Sequence, residues 1–241
     1  MIEIKPMRKL ILSISVLSLL LGAPLAAQKE APPHKLVQFQ MAVFTKGPKW
    51  VTTSDAERGR IFQEHLGNVF SMYESGKMVI AGPFGDNINL VGIFIMRAAS
   101  SDEARAWVET DPAVKAGLLV PEMHPWWSQD IFKKANSPLK LDTVYLGFLK
   151  KGPNRKDGDD KNPEIQELQK AHIANIERLA KLGKLVVAGP FGDEGELRGI
   201  FVFRVGSMKE AQDLCASDPM VKINRLTVEL HPWRVPEGVL P

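Results

Sequence analysis

The sequence predicts an α+β fold in which two copies of a β-α-β-β-α-β unit pack sheet against sheet. Residues 79–86 read VIAGPFGD, and residues 186–193 read VVAGPFGD, 107 positions later. The segments around both copies follow the same order of apolar runs, glycines and helix-start signals. A fixed period of this length indicates a duplicated structural unit.

Further identities at the same spacing of 107 residues support the duplication. They include Gly76/Gly183, Gly92/Gly199, Arg97/Arg204, Asp111-Pro112/Asp218-Pro219 and His124-Pro125-Trp126/His231-Pro232-Trp233. Lys46-Gly47-Pro48 matches Lys151-Gly152-Pro153 at a spacing of 105, so two residues were gained in the loop that follows. The two repeats are predicted to span residues 37–127 and 144–234, with a linker at 128–140.

The first repeat begins with a strand at residues 37–44 and a turn at 45–48. Ser54 and Glu57 have the spacing of a capping box, in which side chains satisfy the free N–H groups at a helix start. The helix that follows carries an apolar stripe of period 3.6, and Gly76 ends it.

The rest of the first repeat returns to strands and a shorter helix. Strands are predicted at 78–81 and 90–97, with a turn between them. Ser100 and Glu103 form a second capping box, whose helix ends near Asp111-Pro112, before a last strand at 118–127. The second repeat is predicted to have strands at 144–149, 184–188, 197–205 and 226–233, with helices starting near Ile165 and Ser207.

This element order builds a ferredoxin-like unit, an antiparallel four-stranded sheet with both helices on one face. Residues 199–203 are apolar on both sides of the strand, so the second face of the sheet also needs a cover. We expect the two halves to cover each other as an internal pseudo-dimer with the helices outside.

The first 27 residues resemble a secretory signal peptide. Lys5, Arg8 and Lys9 precede a twelve-residue apolar stretch that is too short to span a membrane, and Leu25-Ala26-Ala27 offers a cleavage site. Their removal takes away three bases and one acid and lowers the formal net charge from +3 to +1. We expect a periplasmic or secreted protein with no membrane span in the mature chain and no nucleic-acid partner.

Two further features have a plain structural interpretation. Cys215 is the single cysteine and lies in a helical apolar run, which predicts a buried side chain rather than a nucleophile. The charged loop at 150–161 is either a mobile lid or a solvated linker, and the second is the default.

The ordered set of motifs, present twice, resembles the YCII (YciI-like) family of the dimeric α+β barrel superfamily. The resemblance covers nearly all of both repeats and implies an intramolecular barrel. It also implies a functional pair formed by a histidine of the first helix and an aspartate after the second strand. These are His65 with Asp86, and His172 with Asp193. The implied chemistry is proton transfer on a small unsaturated acid or lactone.

A histidine–aspartate pair suits that chemistry, because the carboxylate fixes the imidazole tautomer and raises its basicity. The same pair is equally typical of a partly buried histidine held by a helix-bracing aspartate. The sequence therefore leaves open a lyase- or isomerase-like enzyme and a non-catalytic ligand-binding module. We expect that the fold can take a small-molecule ligand, with no cofactor and no metal. The chain is expected to be a pseudo-dimer that is either monomeric or assembled into a further homo-oligomer.

A second group of residues is a candidate ligand-binding lining. His124 with Trp126, and His231 with Trp233, alternate onto the predicted barrel interior and either bind a polar ligand or metal or pack as strand ends. The arginines Arg97 and Arg204 either clamp a carboxylate or are solvated charges at strand ends.

Overall fold

The computed structural model describes residues 35–86, 88–156 and 158–241, so the predicted signal peptide lies outside the described residues. The first repeat has seven elements in the predicted order, with one short helix added. They are β1 Leu36–Lys46, α1 Asp55–Glu74, β2 Met78–Pro83, β3 Leu90–Met96, α2 Ser101–Val108, α3 Pro112–Lys115 and β4 Leu119–Gln129.

The second repeat follows the same order. Its elements are β5 Leu141–Lys151, α4 Pro163–Lys181, β6 Leu185–Pro190, β7 Leu197–Phe203, α5 Met208–Ala216, α6 Pro219–Lys222 and β8 Leu226–Pro236, with a 3-10 helix at Asp159–Lys161. None of the described helices has the length and apolar character needed to cross a bilayer.

The predicted helix starts have the expected side-chain caps. The Ser54 hydroxyl accepts a hydrogen bond from the Glu57 N–H at 3.3 Å, and Ser100 accepts one from Glu103 at 3.1 Å. The Gly76 backbone has a φ of 74°, which lies in the left-handed region. This conformation ends α1, and residues with a Cβ atom rarely adopt it.

Asp111 differs from its predicted role at the end of a helix. The helix α2 ends three residues earlier, and the Asp111 carboxylate instead caps α3 by accepting a hydrogen bond from the Ala113 N–H at 2.9 Å. Asp218 caps α6 in the same way through Met220. These two aspartates recur in the functional site.

The eight strands form two antiparallel sheets that close on each other. The strand orders are β2-β3-β1-β4 and β6-β7-β5-β8. Phe84 pairs with Trp233 and Trp126 pairs with Phe191 across the two junctions, which we call the seams. The sheet edges β2 and β8 therefore meet at one seam, and β4 and β6 meet at the other. The predicted sheet-to-sheet barrel is confirmed.

Three apolar cores follow from strand alternation. Residues such as Met41, Ile93 and Val202 fill the barrel interior. The opposite faces pack under the helices, with Phe44 in the first repeat and Phe201 in the second. The core under the helices of the second repeat also contains Cys215, whose burial raises the pKa of its thiol to about 12.

The repeated glycines permit the close approach of the strands at the seams. A Cβ placed on Gly82 would lie 2.0 Å from the Arg234 carbonyl oxygen, and one on Gly189 would lie 1.9 Å from the Trp127 carbonyl oxygen. Both distances are far inside van der Waals contact. The first glycine of each Gly-Pro-Phe-Gly turn is therefore a requirement of barrel closure.

The charged loop at 150–161 is anchored in its described part. The Arg225 side chain is almost fully buried and donates hydrogen bonds to both Asp159 and Asp160. The Asp159 carboxylate has a lowered pKa chiefly because of its hydrogen bond with Arg225. These contacts support an ordered packing role for this part of the loop.

Candidate functional site

The histidines of the long helices do not contact the aspartates predicted for them. His65 Nδ1 lies 2.9 Å from both carboxylate oxygens of Asp111, and His172 Nδ1 lies 2.8 Å from Asp218 Oδ2. The predicted pairings of His65 with Asp86 and of His172 with Asp193 are therefore wrong in geometry. Each helix histidine is paired within its own repeat, with the aspartate that caps the short helix.

The Asp111 carboxylate is fully buried and well supplied with donors. Besides the Ala113 N–H and the His65 ring, the Asn68 side-chain amide donates to it at 2.9 Å. Burial alone would raise the pKa of Asp111, but hydrogen bonds from His65, Asn68 and Ala113 outweigh it and hold that pKa below its usual value. Asp111 is therefore an ionised acceptor at neutral pH.

This ionised partner assigns the tautomer of His65. A carboxylate can only accept, so Nδ1 carries the hydrogen and Nε2 of the neutral ring keeps its lone pair. The ring stacks on Phe94 with its plane tilted by 19° and its centroid 5.7 Å away. The His65 hydrogen bonds among the described residues are all made by Nδ1, so Nε2 is available as a base.

His65 lines an apolar cavity of about 450 Å³ between α1 and the sheet. The described residues around it are otherwise apolar side chains and glycines, among them Phe62, Phe70, Val91 and Phe94. This volume lies within the range of small-molecule sites, which are mostly apolar with a few converging polar groups. The cavity therefore places an imidazole among apolar side chains.

The second repeat keeps the histidine–aspartate pair but not all of the apolar side chains that line the cavity of the first repeat. Asp218 is bonded to His172 and, at 3.3 Å, to the Asn175 side chain, so the polar contacts of the first repeat recur. The positions equivalent to three cavity residues of the first repeat are polar. They are Gln169 for Phe62, Glu177 for Phe70 and Arg198 for Val91. The repeats therefore share the pair and differ in its surroundings.

Asp86 and Asp193 bind the histidines of the His-Pro-Trp strands in the opposite repeat. His231 Nδ1 lies 2.6 Å from Asp86 Oδ2, and His124 Nδ1 lies 2.7 Å from Asp193 Oδ2. Glu229 approaches the other ring nitrogen of His231 at 3.3 Å. The VIAGPFGD and VVAGPFGD segments thus form one side of each seam, and the His-Pro-Trp motifs form the other.

The tryptophans of the same motif also serve the seams. The Trp233 indole N–H donates to the Gly82 carbonyl at 3.0 Å, and the Trp126 indole N–H donates to the Gly189 carbonyl at 3.1 Å. Both indoles are almost fully buried in the barrel interior, as strand alternation predicted. Their polar atoms are satisfied by the protein, which supports the strand-packing interpretation.

The predicted arginine clamps do not line the cavity. Arg97 donates two hydrogen bonds of 2.7 Å to the Asp130 carboxylate, so its guanidinium group already has a carboxylate partner within the protein. Arg204 contacts the carbonyl of Pro241 and lies 4.0 Å from Asp142. Among the described residues, no group of three or more histidine, cysteine or acidic side chains is placed to bind a metal.

Asp111, Asn68 and the cavity were missed from sequence. Asp111 has the same sequence signal as Asp86, since both recur at the spacing of the histidines, and this signal does not identify the partner of His65. The Asn68/Asn175 identity at the same spacing marks the residue one helical turn after each histidine. The cavity has a weaker signal, the change from Phe62 and Phe70 to polar residues in the second copy.

Comparisons with known proteins agree with the duplicated architecture. The model of the YCII-related domain matches residues 41–126 and 145–234. A search of curated protein sequences returned no match.

Solved structures resemble the fold over most of its length. A mutant chlorite dismutase from Candidatus Nitrospira defluvii has a TM-score of 0.56 at 12% identity, covering 83% of this chain and 91% of its own. A heme-binding protein from Thermus thermophilus has a TM-score of 0.51 at 16% identity, covering 85% and 92%. At such identities the likeness shows the fold alone. The two matched segments make up most of the chain, which therefore belongs to the YCII-related domain family.

Proposed function

We propose that the protein is a small-molecule enzyme that transfers a proton in the cavity of the first repeat. His65 is the proposed general base and acid, and Asp111 is its positioning residue. The observation that carries this proposal is the orientation of the His65 ring. A buried carboxylate holds its Nδ1–H, while the ring lines an apolar cavity of about 450 Å³.

The proposed step starts with the neutral imidazole. Nε2 removes a proton from a carbon or oxygen of the ligand, and the imidazolium that forms is stabilised by the Asp111 carboxylate. The same Nε2–H then returns the proton at another atom of the ligand, as a lyase- or isomerase-like reaction requires. A positioned base of this kind contributes about 10²–10⁴-fold to a rate.

The residues around the cavity do not suit a haem, although one protein of similar fold is described as heme-binding. His65 offers an imidazole, but the described lining has no lysine or arginine side chain to pair with the two haem carboxylates. No step of the proposed reaction therefore uses a haem.

The experiment is deuterium incorporation from D₂O into a panel of small carbonyl compounds, followed by proton NMR. We expect exchange with the wild-type protein and a loss of about 10²–10⁴-fold in His65→Gln. His172→Gln is the matched control, because it breaks the equivalent His172–Asp218 pair in the second repeat, where the apolar cavity lining is not conserved between the copies. It should unfold more easily than wild type yet retain the exchange rate.

Two outcomes decide against the enzyme. If His65→Gln and His172→Gln lose exchange equally, the loss reports stability rather than chemistry. If the ligands bind to the cavity without any exchange, the protein is a ligand-binding module of the same fold. In that case the His65–Asp111 pair only braces α1 against α3.

We also propose that the protein is exported, on the basis of the leader-like residues 1–27. Expression of the full chain in a bacterial host, followed by mass measurement of the periplasmic fraction, tests this. A mature protein that begins at Gln28 is expected. An intact leader on a cytoplasmic product would contradict export.

A further inference from the structure

A second cavity continues the first along α1. Its volume is about 240 Å³, and it shares five lining residues with the cavity of His65, which are Val69, Phe70, Ala81, Leu139 and Pro236. It extends to Tyr73, which lies eight residues after His65, roughly 12 Å along the helix. Together the two cavities form an elongated apolar groove with His65 near one end.

The mouth of the groove exposes large apolar side chains to water. Leu66, Phe70, Leu139 and Leu141 line it, and their exposed fractions are 44–49%. Four such side chains around one opening are more than the scattered apolar residues of an ordinary surface. A ligand that covers them removes this area from water.

The far wall of the groove is held in place by the linker. Tyr73 accepts a hydrogen bond from the Ala135 N–H at 2.7 Å through its hydroxyl oxygen, which fixes the linker to α1. Leu139, in the same linker, lines both cavities. The groove is therefore built by ordered contacts and has a defined length.

The charges of the groove disfavour an anionic ligand. Apart from His65, the first cavity is lined by apolar residues and glycines, and Glu74 places a negative charge at the end of the second. Burying a carboxylate without a cation or donors carries a large desolvation cost.

We propose that the groove takes a neutral molecule with an alkyl tail, whose proton-donating group lies at His65 and whose tail extends toward Tyr73. The proposal rests on the proposed function, since it names the substrate class of the same site. A γ-lactone with an alkyl tail has this chemistry, because its ring is uncharged and its carbonyl acidifies the neighbouring C–H group. Gln169, Glu177 and Arg198 make the second repeat unsuited to the same ligand, so one molecule binds per chain.

The test is calorimetric titration with γ-octalactone, γ-decalactone and γ-dodecalactone, each beside its ring-opened hydroxy carboxylate. We expect one lactone per chain and an affinity that rises about fourfold for each added methylene until the groove is filled. The carboxylates should bind at least about tenfold more weakly, because their charge must be desolvated.

A matched pair of variants locates the site. Leu66 lines the groove and Ile173 is its equivalent in the second repeat, and both side chains are 44% exposed. Leu66→Glu should abolish lactone binding, and Ile173→Glu should leave it unchanged. Because both positions are half exposed on helices, neither variant is expected to prevent folding.

The outcomes separate this inference from the proposed function. Tighter binding of the carboxylates, or no binding of any lactone, overturns the neutral ligand class, while deuterium exchange with other compounds would leave the function standing. Lactone binding that Leu66→Glu does not weaken overturns the site. Lactone binding in the groove without His65-dependent exchange supports the ligand class and overturns the enzyme.

Discussion

Substitution of Gly82 by alanine should open one seam of the barrel. The added Cβ would lie 2.0 Å from the Arg234 carbonyl oxygen, so β2 and β8 must separate by roughly 1 Å or more to restore an ordinary contact. That movement breaks the hydrogen bond from the Trp233 indole to the Gly82 carbonyl at 3.0 Å. It also breaks the one from the Gly85 N–H to the Pro232 carbonyl at 2.8 Å.

The magnitude follows from these contacts. Overpacking costs about 1–3 kcal/mol, and each of the two lost hydrogen bonds adds about 0.5–1.5 kcal/mol, so the free energy of unfolding should fall by about 2–6 kcal/mol. Gly85→Ala is the control from the same turn, since its Cβ would meet the nearest atom, Pro232 Cγ, at 3.4 Å. Its effect should stay below about 1 kcal/mol.

Urea unfolding followed by tryptophan fluorescence measures both variants, because Trp233 lies at the affected seam. Equal midpoints for Gly82→Ala and Gly85→Ala would refute the reasoning, since the two glycines differ chiefly in this contact. Such a result would mean that the strands at the seam adjust freely to an added methyl group.

Two further predictions concern titratable groups. Asp111 has a lowered pKa in the folded protein, so its contribution to stability is present above the unfolded pKa of about 3.9 and is lost as pH falls through the lower folded pKa. Asp111→Asn should therefore flatten the pH dependence of the free energy of unfolding in urea below about pH 4. The same pH dependence in the variant and in wild type would contradict the lowered pKa of Asp111. The buried Cys215 thiol, whose pKa is raised to about 12, should resist a disulfide exchange reagent at about pH 8 until urea unfolds the chain. Rapid labelling of the native protein would show that the thiol is accessible.

The fold could be predicted from sequence because its evidence is local and occurs twice. Gly76, the capping serines and the strand alternation each act within a few residues, so the element order follows from them. Barrel closure could be predicted as well, since residues 199–203 are apolar on both faces and each sheet needed a cover.

The pairing of histidines with aspartates could not be predicted in this way. His65, Asp86, Asp111 and His231 belong to motifs that recur at one spacing, so the period does not say which histidine meets which aspartate. The short helix α3 places Asp111 beneath α1, and the seam brings Asp86 to the other repeat. Both contacts depend on how the elements pack, which periodicity does not encode.

The cavity depends on packing in the same sense. The contrasts between Phe62 and Gln169, and between Phe70 and Glu177, are visible in the sequence as differences between the copies. These differences produce a cavity only together with Leu139, which the linker places over α1 as part of the cavity lining. A residue far along the chain thus decides whether an exposed helix face becomes a site.

The central claim is that Asp111, rather than Asp86, serves the reactive histidine. Deuterium exchange by Asp111→Asn and Asp86→Asn, measured side by side on compounds that the wild-type protein exchanges, tests it most directly. Asp111→Asn should slow exchange by at least about 10²-fold and alter its pH profile, because His65 loses the partner that fixes its tautomer. Asp86→Asn should weaken a seam and leave the exchange rate of the folded protein unchanged. The opposite result, with exchange lost in Asp86→Asn and kept in Asp111→Asn, would contradict the account.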